Sequence, residues 1–436
     1  MNLYLTLEIL NREFHSKLLI AMESASRGMN VYLGRLKPYL MRDFFAPGII
    51  LDKSITPTPN RLNEMKYCKK KNFFYTSLDE EVGLLNINQN YLKHRYSNES
   101  LNLVDKVFCW GRWDYNNLSK KYPKHKKKFI LSGNPRIDFW RKDFDFFYKN
   151  KKLEHENYIF FSLNFTLLSK LQKNKYVKFL KKGKYVERGI SIKIFKKGIQ
   201  HSFMMFKKFS KLMTTLANKT DYKIIVRPHP LDPISNYKFL KKYKNVSVIK
   251  KGSISEWIYG AKIVVHSNCT GGFEASVRGY PTISYCPPVR SDHGYILADQ
   301  FSKKTNNLNE CIRLIHKLSR KGLKLKKDNR KNIKHRAHNI LSKKTAFEMI
   351  VDEFIKIQKI IKFEKKNNNL ALKFKFKIRD LRTKILNYKY GGIKFSTFEK
   401  EDTLKIFEIL KKLNPKYNDL SIDFIKKDII LIKNND

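Results

Sequence analysis

The chain has little cysteine, and what it has follows no metal-binding or disulfide pattern. Five cysteines are scattered over 436 residues, with no CxxC pair and no histidine–cysteine cluster. This spacing argues against a structural zinc site or a disulfide framework and suits a reducing compartment. No stretch approaches the ~18 apolar residues of a membrane span. Glu8 and Glu13 stand where a signal peptide would be apolar. We therefore expect a cytoplasmic protein.

Acidic residues are scarce beside basic ones. Thirty-nine Asp and Glu against 90 Lys and Arg give a formal net charge of +51. Such a charge can attract an anionic membrane or a polyanionic substrate, whereas the alternative interpretation is a compositional bias, because lysine is spread along the whole chain. No nucleic-acid-binding motif with interleaved aromatic residues is present, so nucleic acid is not the partner we expect.

The order of predicted elements indicates an α/β protein. A hydrophobic content of 42% excludes global disorder, and strands that alternate with helices predict parallel, doubly wound sheets. We predict a Rossmann-like domain over residues 1–140, a linker over 141–157, a second Rossmann-like domain with crossing helices over 158–362, and a small accessory module over 363–436. The strand Tyr158–Ser162 is not followed by G-x-G-x-x-G, so no dinucleotide cofactor is predicted.

Two polar turns follow predicted strands of the second half. One is Pro228-His229-Pro230, and the other runs from Ser267 to Gly272 into a predicted helix. In an open parallel sheet, ligands bind outside the carboxyl ends of the strands, and a helix start favours anions. The two turns therefore predict a pocket for the phosphates of a nucleotide-activated donor.

Three motifs carry a resemblance to a known class of proteins. They are Thr76–Gly83 with its acidic residues, Arg227-Pro-His-Pro230, and Ser267–Gly272 with Glu274; the turn Gly133–Asp138 supports them. With these motifs the chain resembles GT-B-fold glycosyltransferases, and more closely the bacterial surface carbohydrate biosynthesis proteins. A similar trio of acidic, HP and serine motifs occurs in bacterial sialyltransferases and some Kdo transferases. Here Val82 precedes Gly83, which leaves open which carboxylate aligns.

The resemblance covers about residues 1–361 and implies a fold and an activity. The fold is GT-B-like, with two Rossmann-like domains facing across a cleft and C-terminal helices. The activity is inverting, metal-independent transfer of a sugar, with a CMP-activated acidic sugar as the favoured donor. The acceptor is a bacterial surface polysaccharide or a lipid-linked glycan. One alternative is a transferase of polyol phosphate from a CDP-alcohol, and another is a non-enzymatic basic protein that binds glycan or nucleic acid.

The acidic motif is the predicted source of a general base, with Asp79 ranked ahead of Glu80 and with Glu81 beside them. An inverting transfer needs a base within hydrogen-bond reach of the acceptor hydroxyl, and clustered carboxylates raise one another's pKa. The alternative is a solvated acidic helix start.

The other motifs predict the donor site. His229 is expected to hydrogen-bond or protonate the leaving phosphate, with Arg227 either assisting or serving the strand. Ser267, Asn268 and Thr270 are the expected phosphate ligands, unless they form an ordinary N-cap, and Glu274 is assigned to the ribose hydroxyls. The remaining residues predicted to bind nucleotide are Pro230, Gly271 and Gly272.

Weaker candidates complete the prediction. Glu8, Arg12 and Glu13 follow the first strand and are candidates for acceptor contact, as are Asn134 and Arg136, for which turn chemistry is the alternative. Asp292 and His293 are interpreted as polar loop groups. Asp143 and Asp145 fall in the predicted linker, so no metal site is expected. The basic insertion Leu167 to Gly198 either contacts an anionic membrane peripherally or is a solvated lobe.

Overall fold

The computed structural model describes residues 1–80, 92, 95–150, 157–165, 168, 192–229, 232–267, 269–287, 297–321, 327–361, 367–385 and 397–435. These residues form two compact units. The first comprises the described residues up to 150 together with those from 332 onward, and the second comprises those between 157 and 331.

Strands and helices alternate along most of the chain. The strands are β1 Asn2–Thr6, β2 Asn30–Gly34, β3 Ile49–Asp52, β4 Phe74–Leu78, β5 Lys106–Cys109, β6 Phe129–Leu131, β7 Tyr158–Ser162, β8 Ile224–Arg227, β9 Val246–Val248, β10 Ala261–His266, β11 Thr282–Tyr285, β12 Lys303–Thr305, β13 Leu420–Lys426 and β14 Ile429–Asn434. The helices are α1 Leu10–Ala25, α2 Lys37–Leu40, α3 Pro59–Lys70, α4 Asn98–Leu103, α5 Arg112–Lys121, α6 Pro135–Asp138, α7 Asp145–Asn150, α8 Ile192–Lys219, α9 Ile254–Tyr259, α10 Thr270–Val277, α11 Leu297–Phe301, α12 Leu308–Lys321, α13 Lys327–Arg336, α14 Ala346–Ile360, α15 Asn369–Ile385 and α16 Lys400–Lys411.

The first unit is built on one mixed sheet, in the order β13-β14-β2-β1-β3-β4-β5-β6. Strands β1 to β6 pair in parallel, as the alternation of elements predicts. Every residue of β1 is buried, which is the pattern of a strand covered on both faces. On one face Tyr4 stacks on Tyr32 of β2, with ring centroids 5.5 Å apart. Because these strands are parallel, the carboxyl ends of β1, β3 and β4 lie at one edge of this sheet.

The C-terminal residues do not form a separate module, contrary to the prediction for 363–436. Strands β13 and β14 form an antiparallel hairpin, and β14 pairs with β2 to extend the first sheet. Tyr417 donates a hydrogen bond of 2.6 Å to buried Glu23 of α1. Because β14 pairs with a strand almost 400 residues away, its partner could not be read from local sequence. Helix α14 likewise packs on α1 of the first unit.

The predicted linker also differs from the structure over residues 141–150. These residues form a 3-10 turn and α7, and they bury Phe144, Phe147 and Tyr148 in the first unit. Their aromatic side chains pack against Phe139, so the apolar area that they bury outweighs the charges interleaved with them. Residues 151–156 lie outside the described residues.

The second unit contains a parallel sheet in the order β9-β8-β7-β10-β11-β12. Numbered from β7, this is the 3-2-1-4-5-6 order of a doubly wound nucleotide-binding fold. The strand order reverses between β7 and β10, and ligands of such sheets bind at that switch point. The prediction of an α/β protein with two Rossmann-like units is confirmed. No helix of the described residues is both long and apolar enough to cross a bilayer.

Candidate functional site

Asp79 follows β4 and is held by an arginine. Its carboxylate accepts hydrogen bonds of 2.9 Å and 2.5 Å from Nε and Nη2 of Arg95, and its backbone carbonyl accepts one of 2.6 Å from Trp110. The residue is 3% exposed. A bidentate arginine stabilises the ionised form of a carboxylate and occupies both of its oxygens. Both oxygens of Asp79 are thus engaged by Arg95, which supports an anchoring role for this residue.

Glu80 lies beside a buried lysine instead. Its Oε1 is 3.3 Å from Nζ of Lys17, and both side chains are almost fully buried. Oε2 of Glu80 accepts no hydrogen bond from any residue in the described part of the chain. The side chain also lines a small pocket at the edge of the sheet. Glu80 thus differs from Asp79 in having a carboxylate oxygen directed at no described donor.

Glu13 forms a second buried carboxylate next to Glu80. Its oxygens accept hydrogen bonds from the backbone N–H of Glu8 at 2.9 Å and from Nη2 of Arg12 at 2.8 Å. Burial and then the negative charge of Glu80 raise the pKa of Glu13 to about 7, against the opposing effects of Arg12 and Lys17. The negative charge of Glu80 thus opposes ionisation of Glu13, which holds its proton up to near neutral pH.

The pocket beside Glu80, here called the edge pocket, encloses about 150 Å³. Its lining consists of Arg12, Lys53, Ser54, Thr56, Thr58, Arg61, Glu80 and Arg95. Of the predicted acceptor residues, Arg12 lines it. Glu8 does not, and pairs with Lys53. Lys17, Lys53, Arg61 and Arg95 were not predicted. Of these four residues, only Lys17 could have been found from the sequence. It stands one turn after Glu13, at a spacing that puts both on the buried face of α1.

The turn Gly133–Asp138 is largely structural. Oδ1 of Asn134 accepts the N–H of Arg136 at 2.9 Å and caps α6. Asp138 accepts hydrogen bonds from the N–H groups of Ala346 and Phe347 at the start of α14, and burial raises its pKa to about 7. Arg136 donates a hydrogen bond of 3.1 Å to the carbonyl of Glu80. Arg136 thus supports the acidic motif, whereas Asn134 serves the turn.

In the second unit, the serine motif lies at the switch point. Oγ of Ser267 accepts the N–H of Asn164, at the end of β7, at 3.3 Å. The N-cap of α10 is Cys269, and Thr270 is the first residue of the helix. The predicted alternative, in which a serine, asparagine or threonine of the motif is the N-cap residue, is therefore not what the chain adopts. Ser267 and Thr270 lie where phosphate ligands of a Rossmann-like unit are expected.

The two glycines of this motif are required for packing. A Cβ on Gly271 would come within 2.6 Å of Oγ of Ser162, and one on Gly272 would overlap the imidazole of His266. His266 is fully buried, its Nε2 lies 2.8 Å from Oγ of Ser302, and burial lowers its pKa to about 3. It is a neutral core residue. The glycines therefore let α10 approach the strands closely.

Arg227 is engaged within the second unit. Its guanidinium donates hydrogen bonds of 2.8 Å and 2.6 Å to the carbonyls of Lys251 and Gly252, and burial lowers its pKa to about 10. The alternative considered for Arg227, a structural role at the strand, is the one that the geometry favours. Glu274 is also buried and lies 3.6 Å from Nη1 of Arg278, so its assignment to a ribose gains no support.

His229 is half-buried and lies two residues after the end of β8, with its carbonyl accepting the N–H of Asp232 at 2.8 Å. It thus lies at the carboxyl end of a strand next to β7. Glu81, Pro230 and Asn268 lie outside the described residues, as do Asp292, His293 and most of the insertion Leu167 to Gly198. In the part of the chain that is described, no group of three or more His, Cys, Asp and Glu residues is placed to hold a metal ion.

No protein-family model matches the chain, and no curated protein matches its sequence. Among solved structures it is similar to the UDP-GlcNAc 2-epimerase of Methanocaldococcus jannaschii, with 11% identity, a TM-score of 0.47 and coverage of 81% of this chain and 99% of that one. The UDP-GlcNAc 2-epimerase of Neisseria meningitidis bound to UDP-GlcNAc is 12% identical, with a TM-score of 0.47 and coverage of 82% of this chain and 100% of that one. The wall teichoic acid polymerase TagF is 12% identical, with a TM-score of 0.47 and coverage of 83% of this chain and 89% of that one. At such values the chemistry of this chain has to be argued from its own residues.

Proposed function

We propose that this protein is an inverting glycosyltransferase that moves a sugar from a nucleotide-activated donor to a hydroxyl of a bacterial surface polysaccharide or lipid-linked glycan. The favoured donor is a CMP-activated acidic sugar, by resemblance of the motifs only. The observation that carries the proposal is the buried pair Glu13 and Glu80 beside Lys17, at the carboxyl edge of the first sheet.

In this proposal Glu80 is the general base. It takes the proton of the acceptor hydroxyl as the oxygen attacks the anomeric carbon, and the bond from that carbon to the donor phosphate breaks. Lys17 fixes the position of the carboxylate at 3.3 Å. Glu13 lies beside it and has its own pKa raised to about 7, so the charge next to the proposed base changes near neutral pH. Both features support Glu80 over Asp79, whose oxygens are bound to Arg95.

The donor is assigned to the second unit. The 3-2-1-4-5-6 sheet order, the serine motif at the switch point and the start of α10 support a nucleotide site there. His229 at the end of β8 is the group proposed to stabilise the charge that develops on the leaving phosphate.

A second candidate is the transfer of polyol phosphate from a CDP-alcohol. It is favoured by the four cationic side chains of the edge pocket, which suit an acceptor that carries phosphate. The mass of the product separates the two candidates, because one reaction forms a glycoside and the other a phosphodiester.

The first test is a screen of nucleotide sugars and CDP-alcohols for thermal stabilisation. A ligand at 100 times its Kd adds about 2.7 kcal/mol to the free energy of unfolding. The second is transfer by Glu80→Gln with the best donor, with exposed Glu408→Gln of α16 as the matched control. We expect Glu80→Gln to bind the nucleotide and transfer nothing. If no nucleotide stabilises the protein, the non-enzymatic alternative replaces the proposal.

The proposal also places the protein at the inner face of the membrane, where lipid-linked acceptors are found. The insertion that motivated this expectation lies mostly outside the described residues. The exposed apolar residues of helix α15 offer a different surface for membrane contact.

A further inference from the structure

We propose that the edge pocket binds an anionic group of the acceptor, a phosphate or a carboxylate. The assignment of this anion to the acceptor rests on the proposed function. Among the described residues that line the pocket, Arg12, Lys53, Arg61 and Arg95 contribute positive charge and Glu80 is the one carboxylate.

Each of the four cationic side chains forms an ion pair with a carboxylate outside the described lining. Arg12 pairs with Glu13, Arg61 with Asp52 and Glu64, Arg95 with Asp79, and Lys53 with Glu8. None of these five carboxylates is among the described residues of the lining. The cationic side chains are between 16% and 25% exposed, so they are ordered without being closed off from solvent. An arginine has five N–H donors, more than a single carboxylate accepts.

Hydroxyl groups complete the lining on the chain that leaves β3. Oγ of Ser54 lies 2.7 Å from Oγ1 of Thr56. Thr58 is the N-cap of α3, and its side chain accepts the N–H of Arg61. The hydroxyl protons can turn toward a bound anion. Arginine, lysine and hydroxyl donors around one small volume form a typical site for phosphate or carboxylate.

The size of the edge pocket limits its ligand. At roughly 30 Å³ per water, a volume of about 150 Å³ holds about five waters. Sites for whole drug-sized ligands enclose roughly 300–1,000 Å³. The pocket therefore suits one charged group better than a complete nucleotide sugar. Because Glu80 shares the lining, an acceptor bound by its anion would present a neighbouring hydroxyl to the proposed base.

The test uses inorganic phosphate and acetate as probes, titrated into the full-length protein without donor and at constant ionic strength. We expect Lys53→Gln and Arg61→Gln each to weaken binding about tenfold or more, as loss of a charge-assisted hydrogen bond does. Arg42→Gln changes an exposed arginine of the same unit outside the lining and should leave binding unchanged. Lys53→Gln is the variant expected to keep the fold, because its partner Glu8 is one-third exposed and is not left as a buried unpaired charge.

Preference for phosphate would identify an acceptor with a phosphate group, and comparable binding of acetate would identify an acidic sugar. The proposal is overturned if neither anion binds, or if Arg42→Gln weakens binding as much as Arg61→Gln. A protein that binds phosphate here and transfers nothing from any donor would retain the anion site and lose the proposed function.

A separate observation concerns α15, which exposes an apolar stripe. Leu372 and Phe376 of this helix are buried, and Phe376 stacks on Phe44 with ring centroids 5.2 Å apart. Leu370, Phe374 and Ile378 are 80%, 65% and 37% exposed. Spaced four residues apart, they lie along one side of the helix. Single exposed apolar residues are common, but a contiguous row marks an interaction surface.

Exposed lysines accompany the stripe. Lys373 and Lys377 lie on one side of it and Lys375 on the other. An apolar row with lysines on both sides is the pattern of a helix that rests in the plane of a membrane, where lysine heads reach the lipid phosphates. We infer that this stripe docks the protein on an anionic lipid bilayer, and the net charge of +51 is complementary to that partner.

Sedimentation with phosphatidylglycerol vesicles and with neutral phosphatidylcholine vesicles tests this inference. We expect salt-sensitive binding to the anionic vesicles. Phe374→Ser should weaken it about tenfold or more, and Lys373→Gln about fivefold. Leu341→Ser, a 50% exposed apolar residue elsewhere, is the control and should bind like the wild type.

Wild-type binding by Phe374→Ser would overturn the inference, as would binding lost only when residues 167–198 are deleted. If Phe374→Ser instead changes the oligomeric state and leaves vesicle binding intact, the stripe is a protein interface and the membrane assignment is wrong.

Discussion

Replacement of Glu13 by glutamine should remove a large part of the pH dependence of both stability and transfer. Glu13 is fully buried, and its pKa is raised from 4.5 to about 7 by burial and by Glu80. Glutamine keeps the shape and the acceptor for the N–H of Glu8, and it removes the ionisable group.

The sign and size follow from proton linkage. Below pH 4.5 both the folded and the unfolded chain hold the proton, and between 4.5 and 7 only the folded chain does. The contribution of Glu13 to stability therefore falls as the pH rises through this window. A shift of that size corresponds to about 3 kcal/mol. At pH 8 the wild type bears this cost and Glu13→Gln does not, so the wild-type loss between pH 5 and pH 8 should exceed that of the variant by about 3 kcal/mol.

Calorimetric unfolding of the two proteins at pH 5 and pH 8 measures this difference. In a unit of this size 1 kcal/mol moves Tm by roughly 2–4 °C, so the expected difference is about 6–12 °C. Asp52 and Asp138 also have raised pKa values, about 6 and about 7, through burial. The wild-type slope alone is therefore not diagnostic. Glu408→Gln, on an exposed side chain, should keep the full slope.

The same variant should change the pH–rate profile. In the wild type we expect the rate to change near pH 7, where Glu13 loses its proton beside the proposed base. Glu13→Gln should lack this change. If the variant keeps both the wild-type slope of stability and the wild-type change in rate, Glu13 holds no proton near neutral pH and the argument for the base is wrong.

The remaining predictions concern the two units separately. His229→Ala should lower turnover roughly 100-fold, with a smaller loss of nucleotide affinity, if it stabilises the leaving phosphate; steady-state rates and calorimetric titration measure both. Glu80→Gln should abolish transfer, whereas Asp79→Asn should lower Tm by loosening Arg95, and equal transfer by both variants would contradict the separation of roles. Gly272→Ala should destabilise the protein by about 1–3 kcal/mol through overlap with the His266 ring, detectable by urea denaturation.

Local patterns predicted the elements that depend on short-range signals. The strand Tyr158–Ser162 has the predicted bounds, because a buried apolar run marks it. The hairpin of β13 and β14 and the burial of α7 were missed, since both are stabilised by contacts with distant parts of the first unit.

The edge pocket shows why site residues are harder to predict than elements. Lys53, Arg61 and Arg95 belong to no motif, and they meet only because β3, α3 and the chain after β4 end at one edge of the sheet. The proposed donor motif differs, because Ser267 to Gly272 form one continuous stretch of sequence. A contiguous turn can be recognised from the amino-acid sequence, whereas a pocket lined by several separate segments can be recognised only once the fold is known.

The acidic motif is contiguous in sequence, but the surroundings of its residues depend on the fold. Asp79 and Glu80 are neighbours in sequence with nearly the same chemistry, so their order of importance could not be decided from the motif. After β4 one carboxylate meets Arg95, and the other meets Lys17 and Glu13. The first is bound on both oxygens by a guanidinium, and the second shares a buried environment with another carboxylate. Two adjacent residues thus have different surroundings, and the proposal of Glu80 as the base rests on that difference.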